Sequence, residues 1–92
     1  MTFEWDERKN ALNIAKHNIS FFEAQKAFTN PFRLILEDSG HSLDEERLYC
    51  VGNVSGKIMT VRFTTRDQVI RIIGAGYWRK EKKIYETRNN LY

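Results

Sequence analysis

The sequence lacks the features of secreted and membrane-embedded proteins. Its one cysteine, Cys50, cannot form an internal disulfide, which excludes a disulfide-stapled extracellular scaffold. No apolar run approaches the ~18 residues that a membrane-spanning helix needs. The segment from Met1 to Asp6 has neither the basic nor the apolar region of a signal peptide. We therefore expect a cytoplasmic protein with no membrane association.

Further absences narrow the classes of function. The chain has no glycine-rich phosphate loop and no nucleophile elbow. Its two histidines, His17 and His41, and its one cysteine show no metal-ligand spacing, so we predict neither a metal site nor a cofactor. With one proline, five glycines and 41% hydrophobic residues, the composition is that of a globular chain. A length of 92 residues predicts one domain over residues 1–92.

Charge is distributed unevenly along the chain. Residues 1–50 contain six Lys and Arg against nine Asp and Glu, whereas residues 51–92 contain nine against three. A basic half of this kind is typical of proteins that bind a polyanion. The alternative is a solvated surface on which basic residues happen to cluster.

Capping residues predict two helices in the first third of the chain. Asp6 is a good N-cap for a helix to about His17, and Asn18 can adopt the left-handed conformation that ends it. Ser20 and Glu23 form a capping box for a second helix, which we expect to reach Thr29.

Four strands and a final helix follow in the predicted order. The strand candidates are Phe32–Glu37, Glu46–Asn53, Ile58–Arg66 and Val69–Ala75. The charged composition of the tail from Trp78 to about Asn89 predicts a helix. After an extended start, the chain thus has two N-terminal helices, an antiparallel sheet of three to four strands and a C-terminal helix, which is an α+β fold.

Two predicted turns, Ser55-Gly56 and Asp67-Gln68, set the register of the hairpins. The first would pair Asn53 with Ile58, Tyr49 with Arg62, and Arg47 with Thr64. The second would pair Arg66 with Val69, Thr64 with Arg71, and Arg62 with Ile73. Because side chains alternate between the faces of a strand, one face is apolar: Leu48, Cys50, Met59, Val61, Phe63, Ile70 and Ile72. The opposite face, called the arginine face below, contains Arg47, Tyr49, Arg62, Thr64, Arg66 and Arg71.

The arginine face predicts a phosphate-binding surface. Like charges gathered on one sheet face repel one another unless anions neutralise them, and the guanidinium fork donates two parallel hydrogen bonds to a phosphate. Tyr49 could stack on a base. The alternative is an exposed polar face that is simply solvated.

An ordered series of motifs resembles a known family. The series comprises Phe3-Glu4-Trp5-Asp6, Lys16-His17-Asn18-Ile19-Ser20-Phe21 with Glu23-Ala24, Phe28 with Asn30-Pro31, His41-Ser42 with Glu45-Glu46-Arg47, Thr64-Thr65-Arg66, Ile70-Arg71-Ile72-Ile73, and Glu81, Tyr85 and Glu86. It resembles the BrnT family of toxins of type II toxin–antitoxin systems, with Asn18 in place of the usual glycine.

The resemblance implies a RelE-like α+β fold and an endoribonuclease that cleaves RNA without a metal and inhibits translation. It also implies a BrnA-like antitoxin with a ribbon-helix-helix domain, through which the pair would bind operator DNA. The candidate catalytic residues are His41, Glu46, Arg47, Arg66, Arg71 and Tyr85. The candidate RNA-binding residues are Tyr49, Arg62, Thr64, Arg79 and Lys80. Among the proton-transfer candidates Glu46, His41 and Tyr85, acid and base are not assigned.

One departure from the family pattern concerns a candidate phosphate ligand. Gly74-Ala75-Gly76 stands where the family commonly has Ser-Ala-Arg, so an arginine is missing at Gly76. Arg79 or Lys80 could replace it. The departure favours two other hypotheses, a non-catalytic protein that binds RNA or a partner, and a ParE-like toxin that acts on a protein target.

Overall fold

The computed structural model describes residues 1–41 and 45–91, without the side chain of His41. Its elements are β1 (Thr2–Trp5), α1 (Glu7–His17), α2 (Phe21–Ala24), a 3-10 helix (Gln25–Thr29), β2 (Leu34–Glu37), a 3-10 turn (Ser39–His41), β3 (Leu48–Val54), β4 (Lys57–Arg66), β5 (Val69–Gly76) and α3 (Arg79–Arg88). This is an α+β fold, as predicted. None of these helices is long and apolar enough to cross a membrane.

The sheet has five strands in the order β1-β5-β4-β3-β2. Strands β2 to β5 are antiparallel neighbours, whereas β1 pairs in parallel with β5, with Thr2 opposite Val69 and Trp5 opposite Ile72. The prediction of an antiparallel sheet of three to four strands is therefore wrong in two respects: the sheet has five strands, and one of its pairings is parallel. The extended start was expected, but its pairing joins the first strand of the chain to the last, and no local signal reports such a contact.

Both hairpin turns lie where the sequence places them. Ser55 and Gly56 have φ values of 52° and 90°, and Asp67 and Gln68 have 51° and 67°. Positive φ at both central residues is what a type I′ hairpin turn requires. The Asn53 side chain accepts a hydrogen bond from the Gly56 amide at 2.9 Å, which supports the first turn.

The predicted registers are confirmed within the strands except at one pair, and the predicted pair of Arg47 with Thr64 falls outside the ladder because β3 begins at Leu48. Tyr49 lies opposite Arg62 and Thr64 opposite Arg71, as predicted. Arg62, however, pairs with Gly74 and not with Ile73, because a bulge interrupts the ladder between Arg62 and Phe63. A bulge inserts one extra residue and re-aims its neighbours, so Gly74 shares the face of Arg62.

The core lies between the apolar sheet face and the helical segment that follows α1. Ile19, Phe21 and Phe28 pack there against Cys50, Val61, Phe63 and other strand residues. Phe28 makes edge-to-face contacts with Phe3 and Phe63, at centroid distances of 5.2 and 5.0 Å. The predicted apolar face is confirmed, with Leu48 and Ile70 partly buried at its margin.

Capping explains the helix boundaries. The Asp6 carboxylate accepts hydrogen bonds from the amides of Arg8 and Lys9, and Asn18 ends α1 at a φ of 57°. The Ser20 hydroxyl accepts from the Glu23 amide and begins α2. The second helix is α-helical only to Ala24 and continues as a 3-10 helix to Thr29, a change of winding that the sequence pattern did not predict.

Two helices frame the arginine face. Helix α1 packs beside β5, and its inward residue, Asn13, donates to the Ile19 carbonyl and accepts from the Ala75 amide. Helix α3 packs on β3 and β4. Its Tyr85 hydroxyl donates to the Asn30 side chain at 2.9 Å, which ties the helix to the end of the 3-10 segment.

Candidate nucleic-acid interface

Two arginines of the arginine face are held by carboxylates. Arg66 donates from Nε and Nη2 to the two carboxylate oxygens of Glu45, at 3.1 and 3.2 Å. Arg71 donates from Nη1 to Glu4 of the neighbouring strand β1. Each arginine keeps further N–H groups outside its ion pair. These pairs hold the guanidinium groups in place and reduce the repulsion among them.

Glu45 lies within a group of positive charges. The hydrogen bond from Arg66 is the main reason why the pKa of the Glu45 carboxyl is lowered, and the charges of Arg47 and Arg71 lower it further. Glu45 therefore stays ionised at neutral pH. It neutralises part of the charge at this end of the sheet.

The segment before β3 is attached to the sheet by two hydrogen bonds. The Thr64 hydroxyl donates to the Glu46 carbonyl at 2.7 Å, and the Asp38 amide donates to the Arg47 carbonyl at 2.9 Å. Thr64 is buried with its hydroxyl already engaged, so its role is to position Glu46 and Arg47. The Glu46 side chain is exposed beside the arginine face.

Arg62 lies at the centre of the arginine face. In the described part of the chain no carboxylate lies within ion-pair distance of it. Its guanidinium lies over Gly74, where a β-carbon would be 3.4 Å from Nε. Arg62 lines two clefts, one on the side of α1 and one on the side of α3.

The first cleft, called the α1 cleft, has a volume of about 380 Å³. Its lining residues are Lys9, Leu12, Asn13, Lys16, His17, Arg47, Arg62, Ile73 and Gly74. Among the described residues, this lining includes two lysines and two arginines and no carboxylate. Such a surface attracts a polyanionic backbone, since a concentrated field of one sign raises the local concentration of its counter-ion.

The second cleft, called the α3 cleft, is chemically different. It measures about 260 Å³ and is lined by Tyr49, Thr60, Arg62, Trp78 and Glu81. It thus combines two aromatic rings with one cation and one carboxylate. The pKa of Tyr49 is raised, first by partial burial and then by the charge of Asp38 and a hydrogen bond to it, so the ring is a neutral phenol at physiological pH.

The departure at Gly76 has a structural explanation. The Trp78 indole lies directly over Gly76, where a β-carbon would be 2.5 Å from Cη2. The indole also makes an edge-to-face contact with His17, at a centroid distance of 5.5 Å. The ring of Trp78 therefore occupies the space that a side chain at position 76 would take. Arg79 lines a separate depression along α3 with Lys82 and Lys83, and the exposed Lys80 lines neither cleft.

The remaining candidates are placed as follows. Tyr85 is 2% exposed with its hydroxyl bonded to Asn30, so it belongs to the packing of α3 and does not reach the arginine face. His41 ends the short 3-10 turn after β2, and its side chain lies outside the described atoms. No group of three or more His, Cys, Asp or Glu side chains that could hold a metal ion occurs among the described residues.

Sequence reasoning missed the residues that the helices contribute. Lys9, Asn13 and Lys16 recur at the i, i+4, i+7 spacing of one helix face, which was the available signal for the wall of the α1 cleft. Trp78, which the sequence placed only at the start of the last helix, is 38% exposed. Its position over the sheet follows from the small residue at Gly76, which could be interpreted only once the strand register was known.

Comparison with known protein families gives a match over most of the chain. The model of the family described as ribonuclease toxin, BrnT, of type II toxin-antitoxin system matches residues 5–82. A search of curated protein sequences finds no significant match.

Proposed function

This chain belongs to the BrnT family of ribonuclease toxins of type II toxin–antitoxin systems, and we propose that it is an endoribonuclease that cleaves RNA without a metal ion. Its cleavage of cytoplasmic RNA inhibits translation. A BrnA-like antitoxin of the ribbon-helix-helix class neutralises it, and operator DNA is bound only through that antitoxin.

The observation that carries the proposal is the environment of Arg62. The α1 cleft brings Lys9, Lys16 and Arg62 together with Arg47, and its described lining includes no carboxylate that would repel a phosphodiester backbone. Arg62, which has no ion-pair partner in the described part of the chain, binds the scissile phosphate. Arg66 and Arg71, each already held by a carboxylate, use their remaining N–H groups on flanking phosphates.

The chemistry requires two proton transfers and one stabilised charge. The ribose 2′-hydroxyl loses its proton and its oxygen attacks the adjacent phosphorus, after which the bond to the 5′-oxygen breaks and that oxygen takes up a proton. The products are a 2′,3′-cyclic phosphate and a 5′-hydroxyl. Arginines placed on the phosphorane stabilise the charge that develops in the transition state, which is commonly the largest single contribution to such catalysis.

Proton transfer is assigned to Glu46 and His41 as a pair. The Glu46 carboxylate is exposed beside the arginine face, and its backbone is fixed by Thr64. Tyr85 has no part in this scheme, because its hydroxyl is buried and engaged by Asn30. Arg47, next in sequence to Glu46, lines the α1 cleft beside the phosphate that Arg62 binds.

Purified protein and a single-stranded RNA in EDTA test this function. We expect cleavage with cyclic-phosphate ends, and no cleavage at the mapped site when its ribose is replaced by 2′-deoxyribose. Activity that disappears with chelator and returns with a divalent ion would contradict the metal-free scheme. Salt-dependent RNA binding with no cleavage would favour the non-catalytic alternative. Toxicity without RNA binding and without RNA cleavage would favour a protein target.

A further inference from the structure

The α3 cleft has a composition that phosphate binding does not require. A polyanion needs cations, whereas this cleft presents Tyr49, Trp78 and the carboxylate of Glu81 beside Arg62. A carboxylate repels phosphate, and aromatic rings are suited to a flat ring system. From this arrangement we propose, on the basis of the function above, that the α3 cleft is a nucleobase pocket that takes a guanine next to the cleavage site.

The aromatic side of the pocket is held in place before any ligand binds. Trp78 is held between the backbone at Gly76 and the edge of His17, while the Tyr49 hydroxyl is bonded to Asp38. Stacking of a base on an aromatic ring contributes on the order of tenfold in affinity. Rings that are already fixed lose little conformational entropy when the base arrives.

The size of the pocket fits one base. Its volume of about 260 Å³ is below the ~300–1,000 Å³ of clefts that enclose drug-sized ligands. The backbone is accommodated in the α1 cleft, and because Arg62 lines both clefts, a phosphate on Arg62 places its own nucleotide at the entrance of the pocket.

Glu81 determines which base fits. A carboxylate accepts two parallel hydrogen bonds, and guanine is the one RNA base whose Watson–Crick edge presents two adjacent donors, N1–H and the 2-amino group. Adenine and cytosine place an acceptor beside their amino group, which would face the charged oxygens unpaired. In the described part of the chain no cation lies within ion-pair distance of Glu81, so both carboxylate oxygens are available to the base.

A second polar group supports a ligand at this position. Thr60 is 1% exposed, and its Oγ1 has no hydrogen-bond partner among the described residues. A buried hydroxyl without a partner is costly. Because Thr60 lines the same cleft, a polar atom on the edge of a bound base supplies the partner that the protein does not.

The test uses RNA oligonucleotides that differ only in the base beside the mapped cleavage site. We expect guanine to be cleaved fastest, inosine about tenfold more slowly because it lacks the 2-amino donor, and 7-deazaguanine as fast as guanine. In Glu81→Gln the preference for guanine over inosine should collapse. Glu86 is a matched carboxylate of α3 that lies outside this cleft, so the preference for guanine over inosine should persist in Glu86→Gln. Equal cleavage of all the oligonucleotides, or a preference for guanine that persists in Glu81→Gln, would contradict the proposal that the α3 cleft binds guanine.

A binding experiment separates this inference from the proposed function. In a Trp5→Phe variant Trp78 is the one remaining indole. An uncleavable 2′-deoxy pentanucleotide with a central guanine should quench its fluorescence at about tenfold lower concentration than one with adenine. If quenching depends on Glu81 but the protein does not cleave RNA, the guanine pocket is supported and the ribonuclease activity is refuted. If the protein cleaves RNA but guanine does not strengthen the quenching, the ribonuclease activity is supported and the guanine pocket is refuted.

Discussion

The indole of Trp78 lies so close to the α-carbon of Gly76 that a β-carbon at position 76 would have to displace the ring. A β-carbon there would lie 2.5 Å from Cη2 and 2.8 Å from two further ring atoms of Trp78. Gly76 and the tryptophan two residues later are therefore one structural unit, and Trp78 forms a wall of the α3 cleft.

Gly76→Ala is expected to displace Trp78. Forcing one extra carbon into a close-packed contact costs about 1–3 kcal/mol, and the indole must leave its contact with His17. We expect the free energy of unfolding to fall by that amount in urea titrations, with a change in tryptophan emission.

The double variant Gly76→Ala/Trp78→Ala provides the control. If the two residues act as a unit, the cost of the alanine at position 76 should largely vanish once the indole is absent, as a double-mutant cycle measures. Additive effects would show that the contact between position 76 and the Trp78 ring does not cause the loss of stability.

Asn13 is expected to be the residue of α1 that matters most for stability. It is 8% exposed, donates to the Ile19 carbonyl at 3.0 Å and accepts from the Ala75 amide at 3.1 Å. Asn13→Ala leaves both backbone groups without this partner, which should cost about 3 kcal/mol. Leu12→Ala, whose side chain is 69% exposed, should change stability by less than about 0.5 kcal/mol. Equal effects in chemical denaturation would contradict this assignment.

Cys50 is expected to be unreactive in the native protein. Burial raises the pKa of its thiol from 9.0 to about 12, so thiol reagents at pH 8 should modify it only after unfolding. The unfolded chain ionises above about pH 9 while the native chain does not, and the native state therefore loses stability as pH rises between these values.

The same linkage can be measured by equilibrium unfolding. From pH 8 to pH 10 the wild type should lose about 1 kcal/mol more than Cys50→Ala, which has no thiol to ionise. Parallel losses in the two proteins would show that the native thiol is not protected.

The antitoxin is expected to compete with RNA for the α1 cleft. An acidic or amphipathic segment docked there would mask the cations that bind the backbone, and charge complementarity would speed its association. Reversing Lys9 and Lys16 to Glu should weaken binding of both RNA and antitoxin, whereas reversing Lys82 and Lys83 on α3 should weaken neither as strongly. A toxin–antitoxin complex that binds RNA as tightly as the free protein would place the antitoxin elsewhere.

The sequence predicted those parts of the fold that depend on local patterns. Asp6, Asn18 and Ser20 mark helix boundaries because their side chains or backbones satisfy groups a few residues away. Alternation in β4, with two recognisable turns, placed Tyr49 opposite Arg62.

Contacts between distant segments could not be predicted in this way. The parallel pairing of Thr2 with Val69 and the ion pair of Glu4 with Arg71 join the first strand of the chain to the last. The bulge that pairs Arg62 with Gly74 leaves no periodic signal. For the same reason, the sequence grouped four arginines as equivalent, whereas the structure distinguishes Arg62 from those that carboxylates hold.

The central claim is that Arg62 binds the scissile phosphate, and single-turnover cleavage of single-stranded RNA in EDTA tests it most directly. Removing a charge contact made in the transition state costs on the order of 10² or more in rate, so Arg62→Ala should lose at least that much while its unfolding midpoint stays unchanged. Lys83→Ala, an exposed cation of α3 outside both clefts, should cleave as the wild type does. A folded Arg62→Ala protein that cleaves RNA at the wild-type rate would contradict the account.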